Sequence, residues 1–152
     1  METYILFVDD EQSILSAIKR VFRRSSYTVL TANTAEKALE LIHSTPISVL
    51  ISDYTMPGQT GAELLETAKK VRPDMTRIIL SGNGDQEATI QSINRGAASR
   101  FLTKPWDDAV LLKEIDKAVE EWEESKFQMS ASHAKVGLKF LKKNGATLSV
   151  TK

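Results

Sequence analysis

Val49-Leu50-Ile51-Ser52-Asp53-Tyr54-Thr55-Met56-Pro57-Gly58 joins an apolar run to one acid and then to a Pro-Gly breaker. Aliphatic and β-branched residues followed by turn chemistry predict a buried strand that ends at the acid. Asp53 then sits at the carboxyl end of a strand, where open α/β sheets keep their ligand sites. A carboxylate in apolar surroundings needs a cation, a turn to cap or an electrophile to attack, and the flanking sequence decides among these.

Working outward, Tyr4 to Val8 is a second apolar run and ends in Asp9-Asp10-Glu11. An amphipathic helix follows, with Ile14, Leu15, Ile18, Val21 and Phe22 on one face and Lys19, Arg20, Arg23 and Arg24 at its end, where cations suit the helix dipole. Tyr27 to Thr31 reads as the next strand, and Thr34 caps a helix with Ala35, Ala38, Leu39 and Ile42 inward. Beyond Asp53, Thr60 or Gly61 opens a helix with Leu64, Leu65, Ala68 and Val71 inward, closed by Arg72-Pro73-Asp74. Arg77 to Leu80 is a strand ending in Ser81-Gly82, and Asp85 to Arg95 is a helix stopped by Gly96. Ser99 to Thr103 is the last strand and ends in Lys104-Pro105; Asp107 to about Lys126 is a long helix with Leu111, Ile115, Ala118, Val119 and Trp122 inward.

Five strand-helix alternations with short connections predict parallel strands, right-handed crossovers and helices on both faces. The fold class is α/β: a flavodoxin-like, doubly wound five-stranded parallel sheet, strand order 2-1-3-4-5, with a C-terminal extension. That order makes the first and third strands neighbours, so Asp9, Asp10 and Asp53 converge on one crevice. Residues 1–126 form the folded domain and 127–152 an extension or linker. Within it, His133 to Lys143 fits a short helix, and Leu138 to Lys143 fits equally a hairpin turning at Asn144-Gly145 onto Ala146 to Thr151. An acidic patch (Glu120, Glu121, Glu123, Glu124) gives way there to Lys135, Lys139, Lys142, Lys143 and Lys152.

Composition narrows the function. With 152 residues, one domain has enough chain for a real core. The 20 basic and 20 acidic residues balance, which gives no field for nucleic acid or membrane. No cysteine is present, so disulfides, thiolate-zinc sites and thiol catalysis are excluded. The N-terminus has no basic segment leading into a cleavable apolar one, and no apolar stretch reaches bilayer length, so a cytoplasmic protein is expected.

At the carboxyl ends of the strands gather Asp9 and Asp10, Asp53, Ser81 and Lys104. Three carboxylates repel one another unless a cation joins them. Oxygen-only donors point to a hard ion, Mg²⁺ first, bound with water and phosphate oxygens. A lysine and a hydroxyl beside it suit two further phosphoryl oxygens. The set is suited to placing a phosphoryl group on a carboxylate, with Asp53 as nucleophile, the metal as charge neutraliser and Lys104 as a second clamp.

The chain resembles the receiver domain of two-component response regulators. The resemblance rests on Val8-Asp9-Asp10-Glu11, Ser52 to Gly58, Leu80-Ser81-Gly82 and Phe101-Leu102-Thr103-Lys104-Pro105, in order and each at the end of a strand, over residues 3 to about 125. It implies that Asp53 is phosphorylated by a partner histidine kinase or phosphotransfer protein. Asp9, Asp10, Asp53 and the carbonyl of Thr55 would hold Mg²⁺. Ser81 would bond a phosphoryl oxygen and move on activation, Lys104 would pair with the phosphoryl group, and Phe101 would be the switch aromatic. The Lys104-Pro105 bond would be cis. Thr55 and Asn83, small and polar, would give the phosphoaspartate an intermediate lifetime. The face of the fourth helix, fifth strand and fifth helix would then engage a downstream output protein or domain, or a second copy of the chain, helped by Lys113, Glu114, Asp116 and Lys117. Ser52-Asp53-Tyr54 and Arg100 to Trp106 are most similar to receivers fused to cyclic-di-GMP phosphodiesterase domains of the HD-GYP type or to other regulatory outputs.

Plainer readings stand beside these. Asp9-Asp10 would cap the first helix, Asp53 and Ser81 would stabilise turns, and Phe101, Trp106 and Trp122 would simply fill space. His43 and His133 read as solvated, as does the basic tail. Two rival functions keep the same residues. One is a phosphorylation-independent adaptor. The other is a Mg²⁺-dependent phosphatase with an aspartyl-phosphate intermediate. Haloacid dehalogenase-type phosphatases place the nucleophile on the first strand with an acid two residues later, where this chain has Glu11 and its best nucleophile on the third strand.

Overall fold

The computed structural model describes residues 2–82 and 84–143. Five strands and five helices alternate: β1 Tyr4–Val8, α1 Gln12–Val21, β2 Thr28–Ala32, α2 Ala35–Ser44, β3 Ile47–Asp53, α3 Gly61–Val71, β4 Thr76–Ser81, α4 Gln86–Asn94, β5 Arg100–Thr103 and α5 Asp108–Lys143. The strands form one sheet in the order β2-β1-β3-β4-β5, and every pairing is parallel.

β3 lies at the centre, with all of its residues buried, because helices cover both faces of the sheet. Alternation along β1 and β3 divides the core in two. Leu6, Val8 and Leu50 face one way and pack with Ile42 of α2 and Leu64, Leu65 and Ala68 of α3. Ile5, Phe7, Val49 and Ile51 face the other way, against Leu15 and Ile18 of α1 and Leu111 and Ile115 of α5. Burying each such aliphatic side chain is worth about 1.5–3 kcal/mol, so the central strands anchor the fold.

The helix starts are built locally. Thr34 and Thr60 cap α2 and α3, their hydroxyls accepting from the backbone N–H groups of Lys37 (3.1 Å) and Glu63 (3.2 Å). Gly61 is required at the start of α3, because a Cβ there would lie 2.2 Å from the Asp53 carbonyl oxygen. Gly96 ends α4 with φ +76°, the left-handed conformation that favours glycine. Buried Arg77 has no carboxylate partner among the described residues; its guanidinium donates to the carbonyls of Ala97 (2.9 Å) and Met75 (2.7 Å), and burial lowers its pKa.

Several expectations need correction. The fifth helix does not stop near Lys126; α5 is continuous to Lys143. Residues 127–143 contain neither proline nor an interior run of turn residues, so nothing local stops the helix once the packed part has nucleated it. Leu138 to Lys143 is therefore helical and not the first strand of a hairpin. The other half of that hairpin, Ala146 to Thr151, lies outside the described residues, as do Asn144-Gly145 and Lys152. Trp122 is not inside the core but half-buried at its end, with the Lys126 ammonium 5.1 Å from its ring centroid. β2 runs from Thr28 rather than Tyr27, and β3 begins at Ile47. His43 is exposed.

Candidate functional site

The sheet register brings the site together. Val8 pairs with Ser52, Asp53 with Leu80, and Ser81 with Thr103, so Asp9, Asp53, Ser81 and Lys104 all fall at one end of the sheet. Backbone bonds continue the ladders past the strand ends: Asp9 N–H donates to Ala32, Tyr54 N–H to Leu80, and Lys104 N–H to Ser81.

Lys104 is the hub. Its ammonium lies 2.7 Å from Asp9 Oδ2 and 3.3 Å from Asp53 Oδ1. Asp9 is fully buried, and its other oxygen accepts from the Glu11 backbone N–H at 2.9 Å. The capping reading of Asp9 does not hold: Glu11 is the N-cap of α1, which has no side-chain cap bond, and the Asp9 contact is an Asx turn just before the helix, made by the same carboxylate that pairs with Lys104. Asp10 is exposed, and one carboxylate oxygen each from Asp9, Asp10 and Asp53 lie within 4.8 Å of one another. Asp53 is 7% exposed. Among the described residues its carboxylate bonds no turn N–H, and its one side-chain partner is Lys104.

Burial raises the Asp53 pKa above the ordinary carboxylate value; Lys104 opposes that, while the charges of Asp9 and Asp10 add to it. Lys104 shifts upward too. Burial alone would lower it, but its hydrogen bond to Asp9 and the charges of Asp9 and Asp53 outweigh desolvation. Three carboxylates against one ammonium leave two negative charges in a largely buried crevice with oxygen donors only. That donor set fits a hard divalent cation.

The remaining predicted residues take different places. Thr55 is exposed in the loop that follows β3. Ser81 ends β4 and is buried, and its hydroxyl accepts from Thr89 of α4 at 3.2 Å. Phe101 on β5 is 44% exposed and so points outward more than it fills the core. The Lys104-Pro105 peptide is cis, as the resemblance implies. Asn83 lies outside the described residues. Sequence reading missed Thr89; the available signal was its i,i+3 spacing from Ser92, which sets two hydroxyls on the buried face of α4 and leaves Ile90 outside. Beside Lys104 a cleft of about 460 Å³ opens between α1 and the loop after β5, lined by Ser13, Ile14, Ala17, Gly82, Pro105 and Trp106.

The family model of the response regulator receiver domain matches residues 5–116. The chain belongs to that family. The hydrogenase transcriptional regulatory protein HoxA of Cupriavidus necator is 34% identical to this receiver over 116 residues, which is 76% of this chain but 24% of HoxA. The chain thus spans about a quarter of that relative's length. Among solved structures, the signal receiver domain of an HD domain-containing protein from Pseudomonas fluorescens Pf-5 superimposes with a TM-score of 0.77 at 33% identity, over 82% of this chain and 92% of that one. An adenylate cyclase structure from Rhodopirellula baltica gives a TM-score of 0.83 at 28% identity, over 88% and 98%. Among the described residues of the receiver, no helix is long and apolar enough to cross a membrane.

Proposed function

We propose that this receiver is a phosphorylation-operated switch whose acceptor is Asp53. The donor is a phosphohistidine on a partner histidine kinase or phosphotransfer protein. An Asp53 carboxylate oxygen attacks phosphorus, the oxygen–phosphorus bond forms as the phosphorus–nitrogen bond breaks, and the freed imidazole takes a proton from solvent. Asp9, Asp10 and Asp53, with the Thr55 carbonyl, would hold Mg²⁺, which when bound supplies positive charge to the transferred group. Lys104, already against Asp53, supports one phosphoryl oxygen, and Ser81 donates to another. The apolar-walled cleft beside Lys104 has room for the incoming imidazole. Transfer to and from Asp53 is the whole of the chemistry; the output is a change in the face of α4, β5 and α5, with Phe101 as its aromatic, read by a downstream protein, an output domain or a second copy. Residues 1–126 would be the receiver body and 127–152 the extension toward that output, in a cytoplasmic setting where a kinase draws on ATP.

The observation that carries this reading is Lys104 bridging Asp9 and Asp53 inside a three-carboxylate cluster. A phosphorylation-independent adaptor has no use for so much like charge in a buried crevice. A haloacid dehalogenase-type phosphatase would place its nucleophile on β1. The test is intact-mass spectrometry after incubation with acetyl phosphate and Mg²⁺. A gain of one phosphoryl group that needs Mg²⁺ and disappears in Asp53→Asn is expected. No gain, together with no Mg²⁺ binding, would overturn the reading in favour of the adaptor.

A further inference from the structure

α4 is attached to the sheet in an unusual way. Its buried residues are Thr89 and Ser92, both hydroxyl-bearing, while Ile93 is only partly buried against the core and Ile90 is exposed. Ser92 spends its hydroxyl on the Ala88 carbonyl of its own helix. Asp85, at the N-cap, makes no side-chain bond to its own helix, and its carboxylate accepts instead from the Gly82 N–H at 3.2 Å. Thr89 donates to Ser81 at 3.2 Å, across eight residues of chain. Two polar contacts therefore tie the start of α4 to the end of β4, and one of them ends on the hydroxyl beside the phosphoacceptor.

Among the described residues, Ser81 Oγ has no hydrogen bond to Asp53 or Lys104; its side-chain bond is to Thr89. Ser81 accepts from Thr89 and keeps its own proton to donate, but drawing its oxygen toward a phosphoryl group on Asp53 takes that oxygen away from Thr89. Thr89, almost wholly buried, then loses its acceptor unless α4 moves with Ser81. We propose that Thr89 is a positioning residue, a latch that holds Ser81 toward α4 in the unphosphorylated protein and makes α4 respond when Ser81 is drawn to the phosphoryl group. The inference rests on the phosphoacceptor reading above. It assigns the latch to a side chain that touches neither metal nor phosphoryl group.

The experiment is a double-mutant cycle on the full chain, titrated with beryllofluoride in Mg²⁺ and followed by tryptophan emission, since Trp106 lines the cleft beside Lys104. Thr89→Val keeps the shape and removes the donor, so beryllofluoride should bind about fivefold tighter, the scale of one neutral hydrogen bond. Thr89→Ser keeps the donor and should bind as the wild type does. In Ser81→Ala the further change Thr89→Val should have no effect, because the latch has nothing left to hold. Amide exchange at α4 should change on beryllofluoride binding in the wild type and much less in Thr89→Val. Normal wild-type binding with Thr89→Val unchanged or weaker would overturn the latch alone. A Val effect that persists in Ser81→Ala would also overturn it, because general packing would then be the cause. Absence of binding in the wild type, with no phosphoryl gain from acetyl phosphate, would overturn the phosphoacceptor reading and the latch with it.

Discussion

Asp53 is a carboxylate whose ionised form the fold disfavours, and that makes its electrostatics measurable. Its pKa is raised first by burial and then by Asp9 and Asp10, against the pull of Lys104. The native state therefore holds its proton to higher pH than the unfolded chain does. Stability from this group is fully present below the unfolded value near 3.8 and is lost as pH rises through the folded pKa. Asp53→Asn should remove that loss. Without Mg²⁺ the variant should melt like the wild type near pH 4 and a few degrees higher at pH 7; thermal melts across that range check it. Saturating Mg²⁺ should narrow the gap by stabilising the wild type, since a ligand at a hundred times its Kd adds about 2.7 kcal/mol. Lys104 works with the opposite charge. Its pKa is raised by Asp9 and Asp53, so its stabilisation is present below the ordinary lysine range and fades only above its folded pKa. Lys104→Met would leave Asp9 fully buried without its ammonium. A loss of about 2–3 kcal/mol in urea unfolding at pH 7 is expected, below the fully buried range because Lys104 is partly exposed. An unchanged midpoint would mean that the pair only balances its own desolvation.

At the scale of elements, the sequence displayed the strands that carry the site and the order in which they pair. Apolar runs ending in Asp9, Asp53, Ser81 and Lys104 are local signals, and short connections leave few topologies. Thr34 was legible as a cap, and Thr60 as one of two possible starts of α3, because capping is a contact of three residues or fewer. The end of α5 was not legible: a change of charge after Glu124 resembles a boundary but has no power to stop a helix. Thr89 was hidden for another reason. Its spacing from Ser92 marks it as inward-facing, but its partner Ser81 lies across the α4–β4 contact, which no helical spacing reports. Gly61 is a third case. In a sequence it is merely a poor helix former at a helix start; in the structure it is where α3 meets the Asp53 carbonyl. Gly61→Ala normally gains helix propensity, by up to about 1 kcal/mol. Here the new methyl would meet backbone at 2.2 Å, and backbone cannot rotate away. A net loss of about 1–3 kcal/mol is expected in urea unfolding, with weakened Mg²⁺ binding because the end of β3 must shift. A stabilised variant with unchanged Mg²⁺ binding would show that α3 can be displaced freely.

For the whole molecule, the proposed switch has to alter a surface that a partner can read, and the exposed apolar residues say where to test for it. Ile90 on α4, Phe101 on β5 and Val110 on α5 are 54%, 44% and 53% exposed. Of the α5 charges that the sequence offered for a symmetric contact, Glu114, Asp116 and Lys117 are engaged within one chain, while Lys113 is exposed. Glu114 pairs with Arg100 at 3.0 Å and with Lys117 at 3.5 Å, Glu121 also pairs with Arg100, and Asp116 accepts from the Tyr27 hydroxyl. What remains for a partner is mainly the apolar set, in which Phe101 supplies the ring on β5 while a second ring, Phe127, lies farther along α5 and is 75% exposed. Phe101 has no hydroxyl, so its contribution to a contact is packing alone. Beryllofluoride with Mg²⁺ should therefore shift the protein toward dimer in sedimentation velocity. Phe101→Asp should weaken that dimer at least about tenfold, as loss of a central aromatic anchor does, while beryllofluoride affinity changes little. If the wild type stays monomeric at high concentration in both states, the face serves a different protein. If Phe101→Asp also abolishes beryllofluoride binding, Phe101 supports the site itself, and the output surface has to be sought elsewhere on α4 and α5.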